Sequence, residues 1–221
     1  MPPPPPFQAR DDAGDRALRP RRLREFTGQG AVVRNLEVAI QAALGRKQPL
    51  DHVLLSGPPG IGKTTLAHIM AAEMGAEVVE TAGPMIEKPG DLAGILSNLK
   101  AGTLLFIDEV HSLKRVVEEY LYSAMEDFRI TVQLGEGATT NAITLNLNPF
   151  TLVAATTREG LLSPPFRSRF TIRERLDLYT PDELVRILSR SATLLGVEAD
   201  HDGLAAIAGR SRGTARYANN H

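Results

Sequence analysis

The run Gly57-Pro-Pro-Gly-Ile-Gly62-Lys63-Thr64-Thr65 constrains this chain more than any other feature. It fits G-x-x-x-x-G-K-[ST], follows the apolar run His52-Val-Leu-Leu-Ser56 and leads into a helical pattern over residues 64–74. A glycine-rich loop between a buried strand and a helix turns successive backbone N–H groups toward an anion, and the helix dipole adds to them. Only a fold in which strands feed helices supplies that setting, so the chain is read as α/β. Lys63 offers a point charge for β- and γ-phosphates, and the Thr64 hydroxyl can ligate Mg²⁺.

The rest of the pattern agrees. Val32, Val33, Leu36, Ala39, Ile40 and Ala43 fall at helical spacing, and that helix ends near Gly45. Strands are expected at 77–80, 103–107 and 150–155, and helices at 91–99 and 113–128. Four strands alternating with helices predict a parallel sheet covered on both faces. After Tyr179 the character changes. Thr180-Pro-Asp-Glu183 is a helix start, with Thr as N-cap and Pro at the first position. Helices over 181–195 and about 201–209, then one begun after Gly213, read as a small helical subdomain whose last helix is cut short. Residues 1–15 are proline-rich and polar and are expected to be a disordered tail, which gives a division into 1–15, 16–179 and 180–221.

Composition narrows the class. The 221 residues suffice for a real core, and Lys+Arg 25 against Asp+Glu 26 leaves no global basic field. Zero cysteines exclude disulfides, thiolate metal sites and cysteine nucleophiles. No 18-residue apolar window and no basic-then-apolar start are present, so a cytoplasmic protein without membrane partners is expected. The cluster Arg16, Arg19, Arg21, Arg22 and Arg24 reads either as a solvated stretch or as an anion-contacting segment.

Other residues carry chemistry. Leu104-Leu-Phe-Ile-Asp108-Glu109 brings two acids to the sheet edge beside the phosphate loop, where Asp108 can hold Mg²⁺ and Glu109 can polarise a water. Thr156 and Thr157 end another core strand, and a hydroxyl there can orient that water. Phe166-Arg-Ser-Arg169-Phe170 reads as a surface loop with two arginines, the expected form of a finger donated to a neighbouring subunit's γ-phosphate. Arg216 can reach the nucleotide from the helical subdomain. The five histidines show no metal-ligand spacing and are treated as structural or surface groups. Residues 130–134 and 143–147 alternate with period two around Gly135-Glu-Gly137, a hairpin that either packs on its own domain or docks a partner.

Taken together, GPPGIGKTT, LFIDEVH, EKPGDLAGIL, AMEDF, PFTLVAATTREGLL and RSRGTAR resemble the RuvB family of AAA+ ATPases, from about Leu18 to Asn219. The resemblance implies an AAA+ P-loop core with a helical lid, ATP and Mg²⁺ as cofactors, and a hexameric ring on duplex DNA. It also implies Holliday-junction branch migration with RuvA docked on the 130–147 hairpin. Position by position, it implies that Leu18, Arg19, Glu126, Asp127 and Phe128 contact the nucleotide, while Gly60, Gly62, Lys63, Thr64 and Thr65 hold phosphates and Mg²⁺. Asp108 and Glu109 match the Walker B acids, Thr157 the sensor, and Arg169 the interface arginine. Tyr179 and Arg216 match nucleotide contacts of the lid. The family continues beyond its lid into a DNA-contacting winged helix that this chain is expected to lack, and Ala215 stands where the family has proline in GTPR. Competing readings are a clamp-loader-type ATPase, a DExH helicase imitated by Asp108-Glu-Val-His111, and a non-enzymatic module that binds nucleotide and RuvA without moving DNA.

Overall fold

The computed structural model describes residues 17–134 and 141–220, so the proline-rich start, Arg16 and the 135–137 stretch of the hairpin lie outside the described residues. In chain order the strands are β1 (Val53–Ser56), β2 (Val78–Ala82), β3 (Leu104–Asp108), β4 (Arg129–Leu134), β5 (Asn141–Asn146), β6 (Thr151–Thr156) and β7 (Ile172–Arg175). Five of them form one parallel sheet in the order β2-β3-β6-β1-β7, and β4 pairs antiparallel with β5.

Successive side chains of a strand point to opposite faces, and the core divides accordingly. Val53, Leu55, Leu104, Phe106, Val153 and Ala155 enter one apolar cluster, while Leu54, Leu105, Ile107, Leu152 and Ala154 enter the other. Helices α1 (Gly30–Arg46) and α2 (Lys63–Met74) cover the first face. Helices α3 (Pro89–Ser97) and α4 (Arg115–Asp127) cover the second. In α1 the buried residues are Val32, Leu36, Ile40 and Ala43, the stripe that helical spacing predicts. Helix α3 starts before the expected Asp91, because that carboxylate sits at the third position and accepts from the backbone N–H of Glu87 and Lys88.

Two expectations need correction. The sheet has five strands rather than four: Ile172-Arg-Glu-Arg175 is an edge strand beside β1 whose three consecutive charged residues hid it from an apolar-run reading. Residues 166–170 are not a surface loop. Pro164–Arg167 form a short helix α5 capped by Ser163, and Phe166 and Phe170 are buried at 1% and 2% exposure, packed edge to face.

Past Tyr179 come α6 (Pro181–Leu195), α7 (His201–Arg210) and α8 (Ala215–Asn219). Thr180 and Glu183 close the capping box that opens α6, each accepting from the other's N–H. Leu184, Leu188, Leu204, Ala208 and Ala218 join the first core cluster, so these helices pack onto the same apolar mass as α1 and α2. Among the described residues, no helix is long and apolar enough to cross a membrane.

His52 pins the start of β1. Its Nδ1 accepts from the Leu152 N–H at 2.9 Å, so the proton must sit on Nε2, which donates to the Met125 carbonyl at 3.2 Å. Burial holds its pKa below the ordinary value of 6.5. The unfolded chain therefore takes up this proton first, and the stability linked to His52 is full above pH 6.5 and declines as the pH falls through that value toward the lower one of the folded state. We expect the urea midpoint to fall between pH 7 and pH 5.5, and the fall to flatten in His52→Gln; equal slopes in the two proteins would assign the titration elsewhere.

Candidate functional site

The loop leaving β1 is shaped by how closely other segments approach it. Gly57 has φ +139°, and a Cβ there would lie 2.3 Å from the Leu176 carbonyl oxygen. Gly60 and Gly62 also have positive φ, and a Cβ on them would lie 3.1 Å from Arg216 Cβ and 3.0 Å from the Phe26 ring. Side chains at these positions would push the neighbours away, so glycine is required for space as well as for conformation. Lys63, the first residue of α2, is 7% exposed, and its ammonium donates to the carbonyls of Gly57 and Pro58 at 2.8 and 2.7 Å. Burial pushes its pKa down, while the facing carboxylates of Asp108 and Glu109 oppose that shift.

Asp108 ends β3 and Glu109 follows it in a left-handed backbone conformation, φ +48°. The Glu109 N–H donates to Asp108 Oδ1 at 2.9 Å. Burial pushes the Asp108 carboxyl up, and this bond pulls the other way. From the end of β6, the Thr157 hydroxyl donates to Glu109 Oε2 at 3.1 Å.

A cavity opens here between the C-terminal sheet edge, the segment around Leu18 and the helices α6 and α8. Its wall includes Leu18, Arg19, Gly60, Gly62, Lys63, Thr64, Thr65, Asp108, Glu109, Tyr179 and Arg216, all of them expected from the sequence. The Tyr179 hydroxyl donates to the Ile61 carbonyl at 2.8 Å, and the Arg216 N–H to the Gly60 carbonyl at 3.2 Å, so the last helix and the residue leading into α6 are bonded directly to the loop.

Four expected nucleotide contacts do not line this cavity. Glu126, Asp127, Phe128 and Arg169 gather instead at the C-terminal end of α4. The Arg169 guanidinium lies 4.4 Å from the Tyr122 ring centroid, donates to the Tyr122 hydroxyl and pairs with Glu126 at 2.9 Å. The hydrogen bond to Tyr122, followed by the Glu126 charge, holds its pKa up against some desolvation.

Sequence reasoning missed Arg190 and His111. Arg190 on α6 lines the cavity and donates to the Leu18 carbonyl at 2.5 Å, with Glu25 at 3.5 Å. Its signal was helical spacing: Ile187, Arg190 and Ser191 form the stripe of α6 that faces the cavity. His111 contacts Glu109 rather than serving only as filler. The hairpin divides along its length. Ile130 and Leu147 at its base are buried in the second core cluster, whereas Ile143 toward the connection is 44% exposed.

Comparison with known proteins gives one family throughout. Residues 18–176 match the Holliday junction DNA helicase RuvB P-loop domain, and residues 179–220 the RuvB AAA lid domain. The Holliday junction branch migration complex subunit RuvB of Chlorobium luteolum is 57% identical over 202 residues, covering 91% of this chain and 59% of the relative. That of Salinibacter ruber is 56% identical over 209 residues, covering 95% and 61%. The solved Thermotoga maritima RuvB Holliday junction branch migration motor superposes with a TM-score of 0.83 at 50% identity, covering 92% of this chain and 63% of that one. The chain thus spans about three fifths of the length of the curated relatives it matches.

We expect Tyr179→Phe, which removes only the bond to the loop, to lower unfolding free energy by about 1 kcal/mol. The same change should weaken binding of a fluorescent ADP analogue several-fold, since Ile61 belongs to the phosphate loop. Unchanged affinity would separate lid docking from nucleotide binding.

Proposed function

Because the chain belongs to the RuvB family, we propose that it is the ATP-hydrolysing part of a branch-migration motor. In this reading it works in the cytoplasm as a hexameric ring on duplex arms of a Holliday junction in recombination and repair. A RuvA-type junction-binding protein docks on the 130–147 hairpin, and the exposed Ile143 above the buried Ile130 supports that role. The chain divides into a large part, 16–179, and a lid, 180–221.

One observation carries the reading. The phosphate loop and both acids face one cavity, while Arg169, held by Tyr122 and Glu126, lies on a different face. A hydrolytic site of this kind needs a cation against the developing charge of the γ-phosphoryl. The arrangement supports Arg169 being supplied in trans, together with Glu126, Asp127 and Phe128 at the neighbour's nucleotide.

Within one copy, Leu18, Arg19, Tyr179 and Arg216 bound the nucleotide, and Gly60, Gly62, Lys63, Thr64 and Thr65 take its phosphates. Thr64 and Asp108 offer only hard oxygen donors beside that loop, a set that fits Mg²⁺ and not a softer metal. When bound, Mg²⁺ neutralises phosphate charge. Glu109 accepts the proton of the attacking water, and Thr157 holds its carboxylate by the bond already described.

The reading is tested by steady-state ATP hydrolysis over a protein dilution series, with and without duplex DNA. Turnover per subunit should climb with concentration, and Arg169→Ala should abolish the climb while leaving nucleotide binding intact. Lys63→Ala should lose binding by at least tenfold, in line with the loss of a charge-assisted contact worth about 1.5–3 kcal/mol. Glu109→Gln should retain ATP without turning it over. Flat, near-zero turnover despite tight binding would replace the motor by a nucleotide- and partner-binding module.

A further inference from the structure

Arg190 stands on α6 in the wall of the cavity, where an arginine would ordinarily be read as a phosphate ligand. Its donors are committed elsewhere. Nη1 donates to the Leu18 carbonyl at 2.5 Å, and Nη2 pairs with the Glu25 carboxylate at 3.5 Å. Leu18 and Glu25 line the same cavity, so the three groups close one stretch of its wall. Glu25 is held ready for the pairing, because its Oε2 also accepts the Arg21 N–H at 2.9 Å. That bond, with the Arg190 charge behind it, keeps the carboxyl below its ordinary range against some desolvation, so Glu25 is charged at neutral pH.

The segment that Arg190 grips is itself anchored at a second place. The Leu23 N–H donates to Glu73 Oε1 at 3.4 Å, and Arg22 pairs with Glu73 Oε2 at 3.5 Å. Glu73 belongs to α2, the helix that begins with Lys63. Residues 18–25 therefore bridge α2 to α6. The helices after Tyr179 are thus tied to the large part twice, through Arg216 at the phosphate loop and through Arg190 at the N-terminal segment. With side chains 30% and 34% exposed, the Arg190–Glu25 ion pair alone is weak, so the bond to the Leu18 carbonyl carries most of this second tie. That acceptor is backbone and survives any substitution of Leu18, which leaves Arg190 as the group to test.

We propose that Arg190 is a positioning residue that clasps the cavity: by joining α6 to residues 18–25 it retains a bound adenine nucleotide and sets the rate of its release, without binding the phosphates. The proposal rests on the reading of this cavity as the nucleotide site. Parting the two walls opens the cavity, so weakening the clasp speeds release and does not slow entry.

Stopped-flow fluorescence of the full chain with a fluorescent ADP analogue tests it, release being started by excess unlabelled ADP. We expect Arg190→Ala to raise koff about tenfold, with kon within about twofold of the parent. Arg190→Lys, which keeps the charge and one donor group, should fall between the two. Glu25→Gln, which can still accept the Arg21 N–H, should speed release about twofold and add nothing in an Arg190→Ala background. Unchanged koff in Arg190→Ala, a loss confined to kon, or fully additive effects of the two substitutions overturn the proposal. Displacement of the analogue by inorganic pyrophosphate separates a clasp from a phosphate contact. Pyrophosphate affinity should be the same in the parent and in Arg190→Ala; a loss as large as that for ADP would make Arg190 a phosphate ligand and overturn the proposal. Absence of any adenine-nucleotide binding by the parent chain would reject the reading of the cavity itself, and the clasp with it, so the two failures are told apart.

Discussion

The close approach of three segments to the backbone of one loop is the constraint on which the rest depends. The connection after β7 touches Gly57, the segment around Phe26 touches Gly62, and the lid touches Gly60, each at a distance no Cβ would tolerate without displacing a neighbour. The glycines thus let the sheet edge, the N-terminal segment and the last helices meet at the N-terminus of α2, where backbone N–H groups are unsatisfied within the helix. A Cβ at Gly57 would strike the Leu176 carbonyl, and one at Gly60 or Gly62 would force its neighbour to give way by a few tenths of an ångström. Lys63 illustrates the same economy. The carbonyls it uses belong to Gly57 and Pro58, whose following nitrogens are Pro58 and Pro59 and carry no hydrogen. The ammonium therefore rests on the part of the loop that has no N–H to offer an anion.

Helix α4 organises the opposite side of the molecule. Glu118, Tyr122 and Glu126 lie at i, i+4 and i+8 and so form one stripe. Glu118, 8% exposed, accepts from Ser163, the residue that caps α5; Tyr122 and Glu126 seat Arg169 just beyond α5. Buried Phe166 and Phe170 clamp the same segment into the core. The arginine thus stands on a rigid mount, not on a free loop, at a site its own cavity does not share. That division keeps the arginine apart from the phosphate loop and the two acids within one copy of the chain.

Much of this was legible in the residues, for a physical reason in each case. The phosphate loop declares itself because its glycines, lysine and hydroxyls are each required at fixed positions in a strand-to-helix turn. Strands β1, β3 and β6 are buried on both faces and so read as unbroken apolar runs, and α6 announces its start through Thr180, Pro181 and Glu183. Edge strand β7 was not legible, because half of its positions face away from the core and carry charge. Arg190 and His111 were missed because each works through partners distant in sequence: Leu18 lies 172 residues away and Thr156 lies 45 away. Searching the histidines for metal spacing could not find one whose ring lies beside a carboxylate. The grouping of Glu126 with Arg169 depends likewise on how α4 and α5 pack, which no local pattern encodes.

A last consequence lies in the two bonds from lid to loop. A trans peptide unit is planar, and its C=O and N–H point in opposite directions. When Arg216 and Tyr179 draw the carbonyls of Gly60 and Ile61 to themselves, they also set the direction of the N–H groups of Ile61 and Gly62, which share those planes. The lid therefore fixes the orientation of two of the dipoles that an incoming anion would meet.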